Sequence, residues 1–377
     1  MKVGIITLPL HTNYGGILQA YALKTFLESV GHEAVVLDPI DKMPAPGGLR
    51  APFVYASRML KRGLKGKKGL EVFRELRFRR ELPVVGKNTS AFVEKYISPR
   101  MIKSYGDISE GEFDAFVVGS DQVWRPRFFG KIEDAFLAFT SGWDVKRLAY
   151  AASFGTDQLE FEYQQLEQCS ALLSKFDGVS VRELGAVEMC SEWFDYDNAV
   201  HVLDPVMMLD ADCYKEFAAT SGDHSAKGKI LTYLLDRSAH KMNVVEFIRR
   251  VSSKEVHDVS VSAYDKSLPV SERVVPPLET WLAGFSEADM VVTDSFHGCV
   301  LSILMHKPFI VVENSYRGMS RIKSLLDMFA LDQRLVQGID PEDDGTFFLS
   351  DPDWEGVETV LNAKRAESAA FLLENLK

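Results

Sequence analysis

The sequence predicts an α/β protein of two parallel-sheet domains. Short apolar runs alternate with segments of helical periodicity almost from end to end, the signature of consecutive βαβ units. The length of 377 residues suits two domains. A hydrophobic content of 46%, with 11% aromatic residues, suffices for real cores and excludes disordered and fibrous classes.

Each element follows from its local pattern. Val3 to Leu8 is a strand, Ile17 to Val30 an amphipathic helix closed by Gly31, and Ala34 to Leu37 a strand ending at Asp38-Pro39. A basic stretch interrupted by Gly63, Gly66 and Gly69 follows, with a helix expected from Leu70 to Glu81. Strands are then expected at Phe116–Val118, Leu148–Ala151, Val179–Val181 and Val200–Leu203, with helices at Phe161–Phe176 and from Glu183. Asp204 to about Lys227, rich in Pro, Gly, Ser and Asp, reads as a hinge. A second cycle begins at Lys229, with strands at Ile230–Leu235, His257–Val261, Met290–Thr293 and Phe309–Val312. Helices are expected around Val244–Val251, Leu278–Ser286 and His297–Met305, and a last one at Trp354–Leu376. The pattern gives Rossmann-like domains at about 1–215 and 225–352 and a closing helix at 353–377, with the site in the cleft where strand C-termini face each other.

The charge is unevenly spread. The chain sums to −11, but residues 50–103 hold fifteen basic and four acidic residues, a local +11 that leaves −22 elsewhere. The opening Met-Lys-Val-Gly-Ile-Ile-Thr reads as a core strand and not as a signal peptide, and no apolar run of about 20 residues exists, so a cytoplasmic protein is expected. Cys169, Cys190, Cys213 and Cys299 form no CxxC pair and read as small core residues. His32, His201, His224, His240, His257 and His306 show no metal-ligand spacing, and neither a metal nor a cofactor is expected.

Ligands of open α/β sheets sit beyond strand C-termini, so the strand exits hold the candidates. The first exit, Asn13-Tyr14-Gly15-Gly16 with Gln19, offers close backbone approach and hydrogen-bonding groups suited to hydroxyls, or only a tight turn into a helix. It is neither GxGxxG nor a Walker loop. The second, Gly119-Ser120-Asp121-Gln122-Val123-Trp124, places an Asp that either caps the next turn or serves as a base. In the third, Arg182 after Val179-Ser180-Val181 needs an anion, supplied by an acidic neighbour or by a substrate carboxylate or phosphate. In the fourth, Thr293-Asp294-Ser295-Phe296-His297-Gly298, a histidine starts a helix where the dipole favours an anion; it is a proton donor or a structural cap. Arg317 and Arg321 follow the next strand.

In this order these motifs, together with Asp204-Pro205, resemble the polysaccharide pyruvyl transferase family over about residues 3 to 330. The resemblance implies a GT-B-like enzyme that moves the pyruvyl group of phosphoenolpyruvate onto two sugar hydroxyls, forming a cyclic ketal and releasing phosphate. By the same resemblance His297 is the acid and Arg182 holds the donor. A donor with a carboxylate and a phosphate needs several fixed cations and a helix N-terminus, which Arg182, Arg317, Arg321 and the helix start at Ser295 and Gly298 are expected to provide. Arg317 stands where better-known members carry a lysine, which keeps charge but changes geometry. Asp121 is the candidate base. Asn13, Tyr14, Gly15, Gly16 and Gln19 are the candidate acceptor residues, with Trp124 as a stacking platform for a sugar face. The alternatives are a nucleotide-sugar glycosyltransferase and a non-catalytic carbohydrate-binding protein of the same fold.

The basic window, an insertion at about 45–105, suggests contact with anionic lipid, which would suit a polyprenyl-diphosphate-linked acceptor and a peripheral position at the inner face of the cell membrane. Few aromatics interleave its charges, which argues against nucleic acid.

Overall fold

The structure, a computed structural model, describes residues 1–43, 50–64, 72–263, 265–314, 318–340 and 342–377. The first unit contains strands β1 (Lys2–Ile6), β2 (Glu33–Pro39), β3 (Arg100–Ile102), β4 (Ala115–Val118), β5 (Lys146–Ala152), β6 (Gly178–Val181) and β7 (Val200–His201). They form one parallel sheet in the order β3-β2-β1-β4-β5-β6-β7. The second unit holds β8 (Ile230–Tyr233), β9 (Val256–Asp258), β10 (Met290–Thr293), β11 (Phe309–Val312) and β12 (Leu335–Val336), parallel in the order β12-β11-β10-β8-β9. Both sheets reverse direction of growth beside a central strand, and there the ends of β1, β4 and β10 open toward the cleft.

Helices cover both faces of the sheets. Those of the first unit are α1 (Tyr14–Ser29), α2 (Arg50–Leu64), α3 (Arg74–Val85), α4 (Lys87–Phe92), α5 (Tyr163–Leu173) and α6 (Gly185–Phe194). Two more, α7 (Pro205–Met208) and α8 (Ala211–Ser221), occupy the stretch expected to be a hinge. The reason is legible in hindsight: Asp204 accepts the Val206 N–H as an N-cap ahead of a proline at the first helical position. Tyr214, Phe217 and Ala218 then form a buried face on α8. The second unit carries α9 (Ala239–Ser252), α10 (Leu278–Glu287), α11 (Phe296–Leu304), α12 (Ser320–Met328) and α13 (Thr346–Leu349).

The last helix, α14 (Trp354–Asn375), returns to the first unit. Ser368 Oγ accepts from Leu203 N at 3.0 Å, Arg365 donates to the carbonyls of Met207 and Leu209 at 2.7 Å, and Lys146 Nζ donates to the Asn375 carbonyl at 3.0 Å. The two units also share an apolar core: Tyr14 of α1 stacks on Trp281 of α10 at 4.7 Å, and its hydroxyl donates to the Pro276 carbonyl at 2.7 Å. All four cysteines are free thiols, three of them buried. Among the described residues no helix is long and apolar enough to cross a membrane.

Candidate functional site

Four charged or titratable side chains from both units meet at the strand exits. The Arg182 guanidinium, past the end of β6, donates from Nη1 to Asp204 Oδ2 at 2.9 Å and from Nη2 to Asp121 Oδ1 at 3.2 Å. It also lies over the Phe296 ring at 4.5 Å, a cation–π contact that fixes the start of α11. His297, 7% exposed, brings Nε2 to 3.8 Å from Asp204 Oδ2, and this nitrogen has no hydrogen-bond partner among the described residues. Its Nδ1 faces α1 so closely that a Cβ on Gly15 would fall 2.0 Å away. Only glycine at 15 lets the second unit's histidine seat against the first unit's helix.

The electrostatics follow from burial and pairing. Burial would push the Asp121 carboxyl up, but Arg182, His297 and Arg321 outweigh it and hold it below its ordinary value. Burial disfavours charge on Arg182, yet Asp121, Asp204 and Glu183 raise its pKa. The His297 imidazole is pushed down, chiefly by burial, which its neighbour Asp204 only partly offsets. Glu183 is pushed up by burial against the pull of Arg182 and Arg321; its Oε1 accepts from Ser153 Oγ at 2.9 Å and Phe154 N at 3.1 Å. Arg321, in the first turn of α12, is lowered to about 10 by burial and by the like charge of Arg182.

Several sequence expectations need correction here. Arg182 already has two carboxylate partners within the chain, so it is not a bare cation awaiting a donor. Trp124 cannot be a sugar platform: it is 0% exposed, stacked on Phe136 at 5.1 Å with Nε1 donating to the Ala135 carbonyl. Gln19 is buried and fully used, its Nε2 donating to Thr7 Oγ1 and the Gly16 carbonyl at 2.8 Å while Oε1 accepts from Ser120 N at 2.7 Å. Tyr14 is the interdomain clasp described above, not an exposed hydroxyl ligand. Ser295 caps α11, accepting from Gly298 N at 3.4 Å, and Gly298 packs against Thr293, where a Cβ would come within 2.3 Å of Oγ1.

Asn13 is exposed, and its Nδ2 donates to Asp121 Oδ2 at 3.4 Å. Gly16 packs against Asn13. Asp121 takes a positive φ of 70°, and its side chain turns to Arg182 and Asn13. Arg317 and Tyr316 lie outside the described residues. The flanking Gly318 lies against the first unit, where a Cβ would meet the Gly155 carbonyl at 2.4 Å.

Two carboxylates that belong to the quoted motifs were given no role of their own from the sequence. Asp204, read as part of a hinge, holds Arg182 and accepts from Ser120 Oγ at 3.2 Å; its signal was the Asp-Pro helix start. Asp294 ties the second unit's strand exits together, accepting from Leu235 N at 2.6 Å, Lys241 Nζ at 2.6 Å and Asn314 Nδ2 at 2.9 Å. Nothing in local sequence distinguishes it from a cap.

The family model for polysaccharide pyruvyl transferase matches residues 13–316. The chain belongs to this family. As a polysaccharide pyruvyl transferase family member it is a transferase of polysaccharide biosynthesis, and the matched span includes Asp121, Arg182, Asp204 and His297. Its fold is GT-B-like. It is similar to the UDP-GlcNAc 2-epimerase from Neisseria meningitidis bound to UDP-GlcNAc, at 11% identity and TM-score 0.51, over 100% of this chain and 99% of that one. It is also similar to the UDP-N-acetylglucosamine 2-epimerase from Rickettsia bellii, at 9% identity and TM-score 0.52, over 100% and 96%. No curated protein sequence matches the transferase.

Proposed function

We propose that this family member transfers the pyruvyl group of phosphoenolpyruvate to two hydroxyls of one sugar in a surface polysaccharide or its lipid-linked precursor. The observation that carries the reading is the buried His297 Nε2, without a hydrogen-bond partner among the described residues, beside an ion-paired Asp121–Arg182–Asp204 cluster where the two units meet. A general acid needs a proton-bearing nitrogen aimed into a water-poor site, and a hydroxyl nucleophile needs a carboxylate kept ionised nearby.

The donor's carboxylate and phosphate would lie toward Arg321, Arg317 and the first N–H groups of α11, with Arg182 bridging them to the acceptor side. Burial disfavours the charged imidazole of His297 in the free protein, and the incoming anion would favour a proton on it. His297 then gives that proton to the methylene carbon, and the oxygen of a sugar hydroxyl bonds to C2 while its proton passes to Asp121. Phosphate leaves with the Asp121 proton as its C2–O bond breaks. The neighbouring hydroxyl forms the second C–O bond and its proton restores His297. Both hydroxyl protons are thus accounted for, one in the new methyl group and one on phosphate.

The test is incubation with phosphoenolpyruvate and a panel of galactose-, glucose- and mannosamine-containing acceptors, read by phosphate release and product mass. Phosphate release that requires an acceptor and a ketal in the product are expected. Heat protection by UDP-sugars but not by phosphoenolpyruvate would overturn the reading in favour of a nucleotide-sugar donor.

A further inference from the structure

Residues 50–103 sum to +11, and the helices α2 and α3 within that window expose the wrong face for an ordinary soluble protein. On α2 the polar anchor points inward: both Nη atoms of Arg58 donate to the Glu75 carboxylate at 2.9 Å, and Nη1 also donates to the Val72 carbonyl. Phe53, Ala56, Met59 and Leu60 fall within an arc of roughly 120° on the helix, the width a globular protein normally buries. Here that arc faces out, with Phe53 77%, Met59 53% and Leu60 62% exposed. Phe73, just before α3, and Leu76 on it are 46% and 54% exposed, beside Arg74 and Arg80. Lys61 is exposed on α2; Lys65, Lys67 and Lys68 lie outside the described residues.

The pair of helices is anchored at the rim of the cleft. Phe78 meets His11 edge-on at 5.7 Å, next to the loop that leads to Asn13, and Glu81 accepts from Arg77 Nε and from Arg273 of the second unit, both at 2.7 Å.

We infer that α2 and α3 dock on an anionic phospholipid surface. Phe53, Met59, Leu60 and Leu76 enter the headgroup boundary while the basic residues meet lipid phosphates. Charge selects this occupant. A second copy of the chain would set one basic helix pair against another, which like-charge repulsion opposes. A nucleic acid would satisfy the cations but leave the aliphatic stripe without a partner. Docking there would turn the acceptor loop toward the membrane, where a lipid-linked saccharide resides.

Flotation of the full chain with vesicles of phosphatidylglycerol and phosphatidylcholine, against phosphatidylcholine alone, tests the inference. Binding to the anionic vesicles is expected at 0.1 M salt and largely lost at 1 M, as the Debye length falls from about 10 Å to about 3 Å. Phe53→Asp with Leu60→Asp, and separately Lys61→Glu with Arg80→Glu, should each weaken binding at least about tenfold. These side chains are exposed, so the far-ultraviolet circular dichroism should not change. Equal binding to neutral vesicles, no binding at all, or binding indifferent to both pairs of changes would overturn it. So would a dimer in sedimentation velocity that the aspartate changes abolish. No donor or acceptor is present, so failure here leaves pyruvyl transfer standing, and the failure of pyruvyl transfer leaves this result intact.

Discussion

At the residue scale, His297 and Asp204 carry the sharpest expectations. An unfolded histidine titrates near about 6.5, while the folded His297 titrates lower because burial opposes its charge. Between those two values the unfolded chain binds the extra proton, so stability contributed by this residue is full above about pH 6.5 and is lost as the pH falls. His297→Gln should therefore flatten the drop in thermal midpoint between pH 7 and pH 5, measured by calorimetry, and should lower kcat by at least about a hundredfold. A drop as steep as that of the parent protein would sink the buried-neutral assignment. Asp204→Asn removes a carboxylate from a buried pair and should cost about 3–5 kcal/mol in urea unfolding, the range for breaking such a pair. The histidine was legible in sequence because it follows a strand and starts a helix. The role of Asp204 was not, because its partner Arg182 is supplied by a different strand exit.

At the scale of elements, the site depends on how α1 and α11 approach. A methyl group on Gly15 would lie 2.0 Å from His297 Nδ1, whereas one on Gly16 would lie 3.0 Å from the end of the Asn13 side chain. Gly15→Ala should therefore cost at least about a hundredfold in kcat by displacing the imidazole, and Gly16→Ala far less, since the Asn13 side chain can move. Phosphate release by the two variants makes the comparison; equal effects would show that the α1–α11 approach does not position the histidine. The paired glycines were visible in sequence as a place of close approach. What approaches them was not, since a histidine 282 positions away is invisible to any local pattern.

At the scale of the whole molecule, the two units are joined by the Tyr14–Trp281 stack, the Tyr14 hydroxyl on Pro276 and the return of α14. Trp281→Ala removes a large buried ring and should cost about 3–5 kcal/mol, with the denaturation curve separating into two steps as the shared core is lost; a single unchanged transition would contradict this. The α/β class, the parallel order of strand and helix, the family and the strand exits that carry the candidate residues were all legible in the sequence. Those properties are written in short-range periodicity and in motifs a few residues long. Only the tertiary structure decided which exit residues face the cleft: that Trp124 and Gln19 are core, that Arg182 is already paired, and that Asp204 joins His297. Those outcomes depend on contacts between residues far apart in the chain, where burial and ion pairing select among side chains that local sequence leaves equivalent.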